Sequence, residues 1–159
     1  MNSYNHFITS FIILVVLFFN KVSIVEIVLF ALVFGVLIDG NQTIGKRMRK
    51  PEAHKRTWIE EPFGVLFLGV PLGLLLSSIK KEYYLLTVIP YAVHVAQDYL
   101  TIHEVSPLAP FSRKNMKTGF FKSSPAASWY TGNEKGVSEK YFLALNILAL
   151  VAVVGIYFI

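Results

Sequence analysis

The sequence predicts an all-α, polytopic membrane protein of about five transmembrane helices (four to five), with two large loops on one side. Three observations carry this. Apolar residues make up 54% of the 159-residue chain, with a mean hydropathy of +0.54, too apolar for a soluble domain. Apolar segments of roughly membrane-spanning length recur between short polar breaks. The basic residues also gather in two of the intervening loops, the charge asymmetry of a membrane protein.

The first expected span covers residues 5–19, where Phe7 to Phe19 is nearly unbroken apolar sequence. No Lys or Arg precedes that run and no small-x-small site follows it, so a retained helix is expected over a cleaved signal peptide. Asn20-Lys21 makes a tight turn, and residues 22–38 form the second span, interrupted only by Glu26, a carboxylate one turn inside the helix end. Residues 39–61 are a polar loop with Gly40 and Gly45 as breakers and a basic cluster at Lys46, Arg47, Arg49 and Lys50. The third span, 62–79, contains Pro71 and several glycines, which predict a kink or close helix packing. Lys80-Lys81-Glu82 turns the chain into the fourth span, 83–100, and residues 101–140 form a second loop too long to be a plain connector. Short helices or a path along the membrane interface are expected there. Residues 141–159 are the fifth span, where Asn146 is expected to hydrogen-bond a neighbouring helix.

Five spans put both large loops on one side, as one integral membrane domain. Each loop holds six Lys/Arg, against only Lys21, Lys80 and Lys81 on the other side. Twelve against three places the loops and the N-terminus in the cytoplasm and the C-terminus outside, in the plasma membrane of the cell. The net charge of +5 is therefore read as topology. Nucleic acid ranks last as a partner, since no basic patch is interleaved with aromatic residues. Trp58, Trp129, Tyr83, Tyr84, Tyr99 and Tyr130 read as an interfacial aromatic belt. There is no cysteine, which excludes disulfides, thiolate zinc sites and thiol nucleophiles. No P-loop, dinucleotide fingerprint or GxSxG motif occurs.

The chemistry-bearing residues gather at the cytoplasmic boundary. Asp occurs only twice, as Asp39 and Asp98, each where a span running toward the cytoplasm ends. His94 precedes Asp98 by one helical turn and so shares its face, and an ionisable pair in an apolar helix is a functional-site candidate. His54 follows Asp39 in the first loop. Asp39, His54, His94 and Asp98 are therefore the expected ligands of a divalent metal, zinc ahead of manganese, with iron also suited to imidazole and carboxylate. His6 has no partner in sequence and is assigned no role.

These residues resemble a known group, the small LexA-regulated inner-membrane metal-dependent hydrolases of the YdjM-like family, distantly related to the zinc phospholipase C superfamily. That family's His-x-x-x-Asp-x-x-Thr stands here as His94-Val-Ala-Gln-Asp98-Tyr-Leu-Thr101, and its Pro-rich loop is matched by Pro107-Leu-Ala-Pro110-Phe111-Ser112. Thr131-Gly132-Asn133-Glu134 looks like its last element. Asp39-Gly40-Asn41 stands where the family has Asp-x-Asp, and His54-Lys55-Arg56-Thr57-Trp58-Ile59-Glu60 where it has two histidines. The second Asp and second His are thus missing.

The resemblance implies hydrolysis of a phosphoester, in the membrane case that of a lipid headgroup. His103 is then the candidate general base or extra ligand. Glu60, nearest to the missing His, is a candidate catalytic group; with Glu61 it either replaces the missing ligand or caps the N-terminus of the third span through the helix dipole. Arg56 and Arg113 are candidate phosphate binders, alongside Lys55. The alternative from another class is a non-catalytic membrane subunit with a degenerate or structural metal site. In that reading residues 101–140 dock onto a larger complex or onto further copies of the chain.

Overall fold

The computed structural model describes residues 3–40, 57–101, 104–112, 114, 116–122 and 137–158. The described chain is mostly helical. Its helices are α1 (Ser3–Phe18), α2 (Ile24–Gly35), α3 (Pro62–Ser77), α4 (Glu82–Tyr99) and α5 (Glu139–Phe158).

Local chemistry sets the helix ends. Ser23 caps α2, its Oγ accepting from the Glu26 amide while the Glu26 carboxylate accepts from the Ser23 amide, so two otherwise orphaned donors are satisfied together. Glu26 also accepts from Lys80 at 3.2 Å and from the Tyr83 hydroxyl at 2.6 Å. The carboxylate expected one turn inside the second span thus ties the start of α2 to the α3–α4 turn. Beyond α2 the chain tightens into a 3-10 turn, Leu37–Asp39.

Helix α3 opens on Pro62, where a missing N–H costs nothing. It then widens into a π segment, Val65–Gly69, in which the Val70 amide reaches back to the Val65 carbonyl. Pro71 follows directly. With no N–H of its own and a ring that crowds the carbonyl four residues back, it accounts for the widened turn just before it.

The end of α4 is capped by the second loop. The Gly119 amide donates to the Thr101 carbonyl, and the Phe120 and Phe121 amides donate to the Leu100 carbonyl. The Thr118 and Thr101 hydroxyls donate to the Tyr99 and Asp98 carbonyls. Together they satisfy acceptors that a helix C-terminus leaves open. Gly119 is required by this close approach, because a Cβ there would lie 2.1 Å from the Leu100 carbonyl carbon. The described parts of this loop form short strands, not the expected short helices. β1 (Glu104–Val105) pairs antiparallel with β2 (Met116–Lys117), and β3 (Phe121–Lys122) pairs parallel with β4 (Val137–Ser138).

The helices run alternately up and down. The start of α1 and the ends of α2 and α4 meet at one end of the bundle, joined there by the starts of α3 and α5. The interior changes character along its length. Away from that end it is apolar, with Leu14, Val15, Phe18, Ile27, Phe30, Ala31, Leu86 and Val153 packed together. Toward that end it is polar, with Asn5, His6, Ser10, His94, Gln97, Asp98 and Asn146 all buried. The outward faces are the reverse, carrying exposed Leu17, Val25, Leu29, Phe67, Leu75, Leu145, Leu148, Val151 and Ile156.

Among the described residues one helix, Glu139–Tyr157, is long and apolar enough to cross a membrane, whereas Ser3–Phe18 and Pro62–Ser77 are apolar but shorter. At about 1.5 Å per residue, α5 alone matches a hydrocarbon layer of about 30 Å.

Candidate metal centre

Three elements carry ionisable side chains to one point at the polar end of the interior. His6 comes from the first turns of α1, Asp39 from the 3-10 turn after α2, and His94 and Asp98 from one face of α4. One ligand atom from each of the four lies within 4.8 Å of every other. His6 Nε2 is 3.2 Å from Asp98 Oδ1, His94 Nε2 is 3.3 Å from Asp39 Oδ1, and His94 Nε2 is 3.6 Å from Asp98 Oδ2. Ligands about 2.0–2.2 Å from a tetrahedral ion stand about 3.3–3.6 Å apart. These three separations are close to that range, so the four residues could close around a single ion.

Their hydrogen bonding fits it too. Both ring nitrogens of His6, Nε2 of His94 and Oδ1 of Asp39 are buried without a hydrogen bond among the described residues. His6 Nε2 and His94 Nε2 each face an aspartate at ion-pair distance. Buried polar atoms are normally satisfied, and a bound cation would satisfy one nitrogen of each ring and the Asp39 oxygen, the second His6 nitrogen being the ring's N–H. The two imidazole rings stack with centroids 4.1 Å apart, inclined by 27°.

The orientation of His94 is fixed from behind. Its Nδ1 lies 3.0 Å from the Gly35 carbonyl oxygen. A carbonyl only accepts, so Nδ1 carries a proton and Nε2 is the nitrogen that faces the aspartates, the usual outer-shell support of a metal-bound histidine. Gly35 permits this because α1 crosses α2 there: a Cβ at Gly35 would stand 2.8 Å from Ser10 Oγ.

His6 and His94 are fully buried and the Asp98 side chain nearly so, whereas that of Asp39 keeps 24% of its surface exposed. Access from outside is therefore by way of Asp39. Burial raises the Asp39 pKa, but the His94 ring outweighs it and holds the carboxyl below the usual carboxylate range.

Of the ligands expected from sequence, Asp39, His94 and Asp98 come together. His54 lies outside the described residues, as do Arg56, His103 and Arg113. The fourth member of the observed group is His6, which sequence reasoning left without a role. A signal was present: Asn5, His6, Thr9 and Ser10 are polar residues at helical spacing inside an otherwise apolar segment. Glu60 is fully buried on the turn Trp58–Glu60 but is not one of the four converging ligands, so among the described residues His6 takes the place expected of a substitute ligand. Glu61 braces the same end of the bundle, accepting from the Tyr99 hydroxyl at 2.7 Å and from the Ser106 amide at 2.8 Å.

Between α2, α3 and α4 runs an apolar groove of about 300 Å³, lined by Phe34, Ile38, Ile59, Leu68, Leu72 and Tyr91 among others. One lining residue, Ile38, adjoins Asp39 in the chain. No known protein-family model, curated protein or solved structure matches the chain.

Proposed function

We propose that this protein is a membrane-embedded, metal-dependent hydrolase of phosphoesters, with one ion held by His6, Asp39, His94 and Asp98 where the bundle meets the cytoplasm. The observation that carries the proposal is the convergence of one ligand atom from each of four residues within 4.8 Å, with buried polar atoms among them unsatisfied. Two nitrogen and two oxygen donors suit zinc first and manganese second. A divalent ion in such a site lowers the pKa of a bound water and polarises a phosphoryl oxygen. The chain's own residues fix the rest. The Gly35 carbonyl takes the Nδ1 proton of His94 in a hydrogen bond and so turns Nε2 toward the ion, and the buried rings keep water from the inner side.

The membrane reading rests on the inverted bundle. Its outward faces are apolar and its interior at one end is polar, an arrangement that hydrocarbon tolerates and water does not. Helices shorter than a full span fit a bilayer locally thinned around them. With twelve of fifteen basic residues in the two large loops, the centre lies on the cytoplasmic side of the plasma membrane. The groove that reaches Ile38, the neighbour of Asp39 in the chain, has an apolar lining suited to a hydrocarbon chain, which favours a lipid phosphoester as substrate. Arg56 and Arg113 remain the proposed phosphate binders, and His103 the proposed general base.

The test is hydrolysis of bis(p-nitrophenyl) phosphate and of phospholipid in vesicles by detergent-purified, zinc-loaded protein. Activity abolished by Asp98→Ala supports the reading. No turnover of either substrate by the zinc-loaded wild type contradicts it.

One observation favours a second reading. Four protein ligands fill a tetrahedral shell, the pattern of structural sites, whereas catalytic sites usually keep a position for water. A non-catalytic subunit would hold the ion to pin α1, α2 and α4, and chelation would then lower its melting temperature sharply without touching any activity.

A further inference from the structure

A second polar feature threads the interior beside the centre. Gln97 Nε2 donates to Thr9 Oγ1 at 2.6 Å and to the Asn5 carbonyl at 3.4 Å. Thr9 Oγ1 donates to Asn146 Oδ1 at 3.0 Å, and Asn146 Nδ2 donates to Asn5 Oδ1 at 3.1 Å. Asn5, Gln97 and Asn146 are buried. The network thus joins α1, α4 and α5, and α5 packs chiefly against α1.

Such a network is seldom retained for stability alone, because apolar replacements of similar shape are often at least as stable. Its position explains it better. Asn5 immediately precedes His6, and Gln97 immediately precedes Asp98. On α1, Asn5 and Thr9 form one stripe, and His6 with Ser10 forms the next, about 100° around the helix. Holding the first stripe against Gln97 and Asn146 turns the second toward His94 and Asp98. The required precision is high. A rotation of α1 by ~20° would carry an atom ~6 Å from the helix axis through ~2 Å, a whole metal–ligand bond.

We propose that Thr9, Gln97 and Asn146 are positioning residues for the metal centre, fixing the rotation of α1 so that His6 meets the ligands on α4. Helix α5 then belongs to the site, although it supplies no ligand. This inference rests on the metal reading above.

The test is titration of detergent-purified protein with Co²⁺, following the visible d–d absorption together with thermal unfolding. Thr9→Val keeps the side-chain shape and removes its hydrogen bonds, and Asn146→Leu removes the α5 end. Each is expected to weaken Co²⁺ binding about 10- to 100-fold, the effect of losing outer-shell support, and to shift the absorption band. Val153→Ala, which loosens the buried apolar contact of α5, is expected to lower the melting temperature while leaving affinity within twofold and the spectrum unchanged. Wild-type affinity and spectrum in Thr9→Val would overturn this inference alone, and so would an equal loss of affinity in Val153→Ala. Failure of the wild type to bind Co²⁺ would overturn the metal reading and this inference together.

Discussion

The Gly35 carbonyl oxygen lies 3.0 Å from Nδ1 of His94. This single contact links the packing of α2 to the protonation of a candidate ligand, because it settles which imidazole nitrogen is free to face Asp39 and Asp98.

Gly35→Ala should therefore act on both stability and the centre. The added methyl would meet Ser10 Oγ at 2.8 Å, so α1 must move outward or α2 must shift. Overpacking of this kind costs about 1–3 kcal/mol. Displacing the carbonyl behind His94 should weaken metal binding by about tenfold or more. Thermal unfolding with and without zinc measures the two effects separately. The idea fails if apo-protein stability falls while zinc affinity stays at the wild-type value.

Metal binding should weaken as pH falls. Imidazoles bind metal only when neutral, so in this range protons compete with the ion chiefly at His94. Asp39 is held below the usual carboxylate range and stays ionised through the neutral and mildly acidic region, so the loss should follow the imidazoles. Zinc affinity should drop about tenfold or more between pH 7.5 and pH 5.5. Isothermal titration at several pH values would show it, and a flat profile would argue against histidine ligation.

Tyr99→Phe probes the brace at the same end. Its hydroxyl donates to a fully buried Glu61 carboxylate, and removing a donor to a buried charge costs about 1.5–3 kcal/mol. A fall in denaturation midpoint of that order is expected. No measurable change would mean that Glu61 is satisfied without Tyr99.

Glu26→Ala provides the opposite case. It removes the capping box of α2 and the tie to Lys80 and Tyr83, a loss of about 1 kcal/mol or somewhat more. It lies at the far end of the bundle from the centre. Zinc stoichiometry and affinity should be unchanged, and a large drop in either would show that the two ends are coupled.

Much of this arrangement can be read from the chain. The helical character follows from long apolar segments and their polar breaks. His94 and Asp98 announce themselves by four-residue spacing in an apolar helix, and Asp39 by its place where α2 ends. His6 is different. Its partners are about thirty and about ninety residues away, so no local spacing marks it, and only the polar stripe Asn5, His6, Thr9 and Ser10 hints that this face of α1 looks inward. Asn146 is a similar case. An amide in an apolar helix predicts a partner, but its pairing with Thr9 and Asn5 depends on α5 packing against α1. Pro71 foretells a distortion in α3, while the form it takes, a π turn, is set by which carbonyl the Val70 amide can still reach. The strands that cap α4 carry no periodic signal, since each is two residues long.

The most direct test is the metal content of detergent-purified protein by inductively coupled plasma mass spectrometry, for the wild type and for His6→Ala, His94→Ala and Asp98→Ala. The account predicts about one divalent ion per chain in the wild type and loss of that ion in all three variants. A wild type without stoichiometric metal, or a His6→Ala protein that keeps its ion at full affinity, would contradict it.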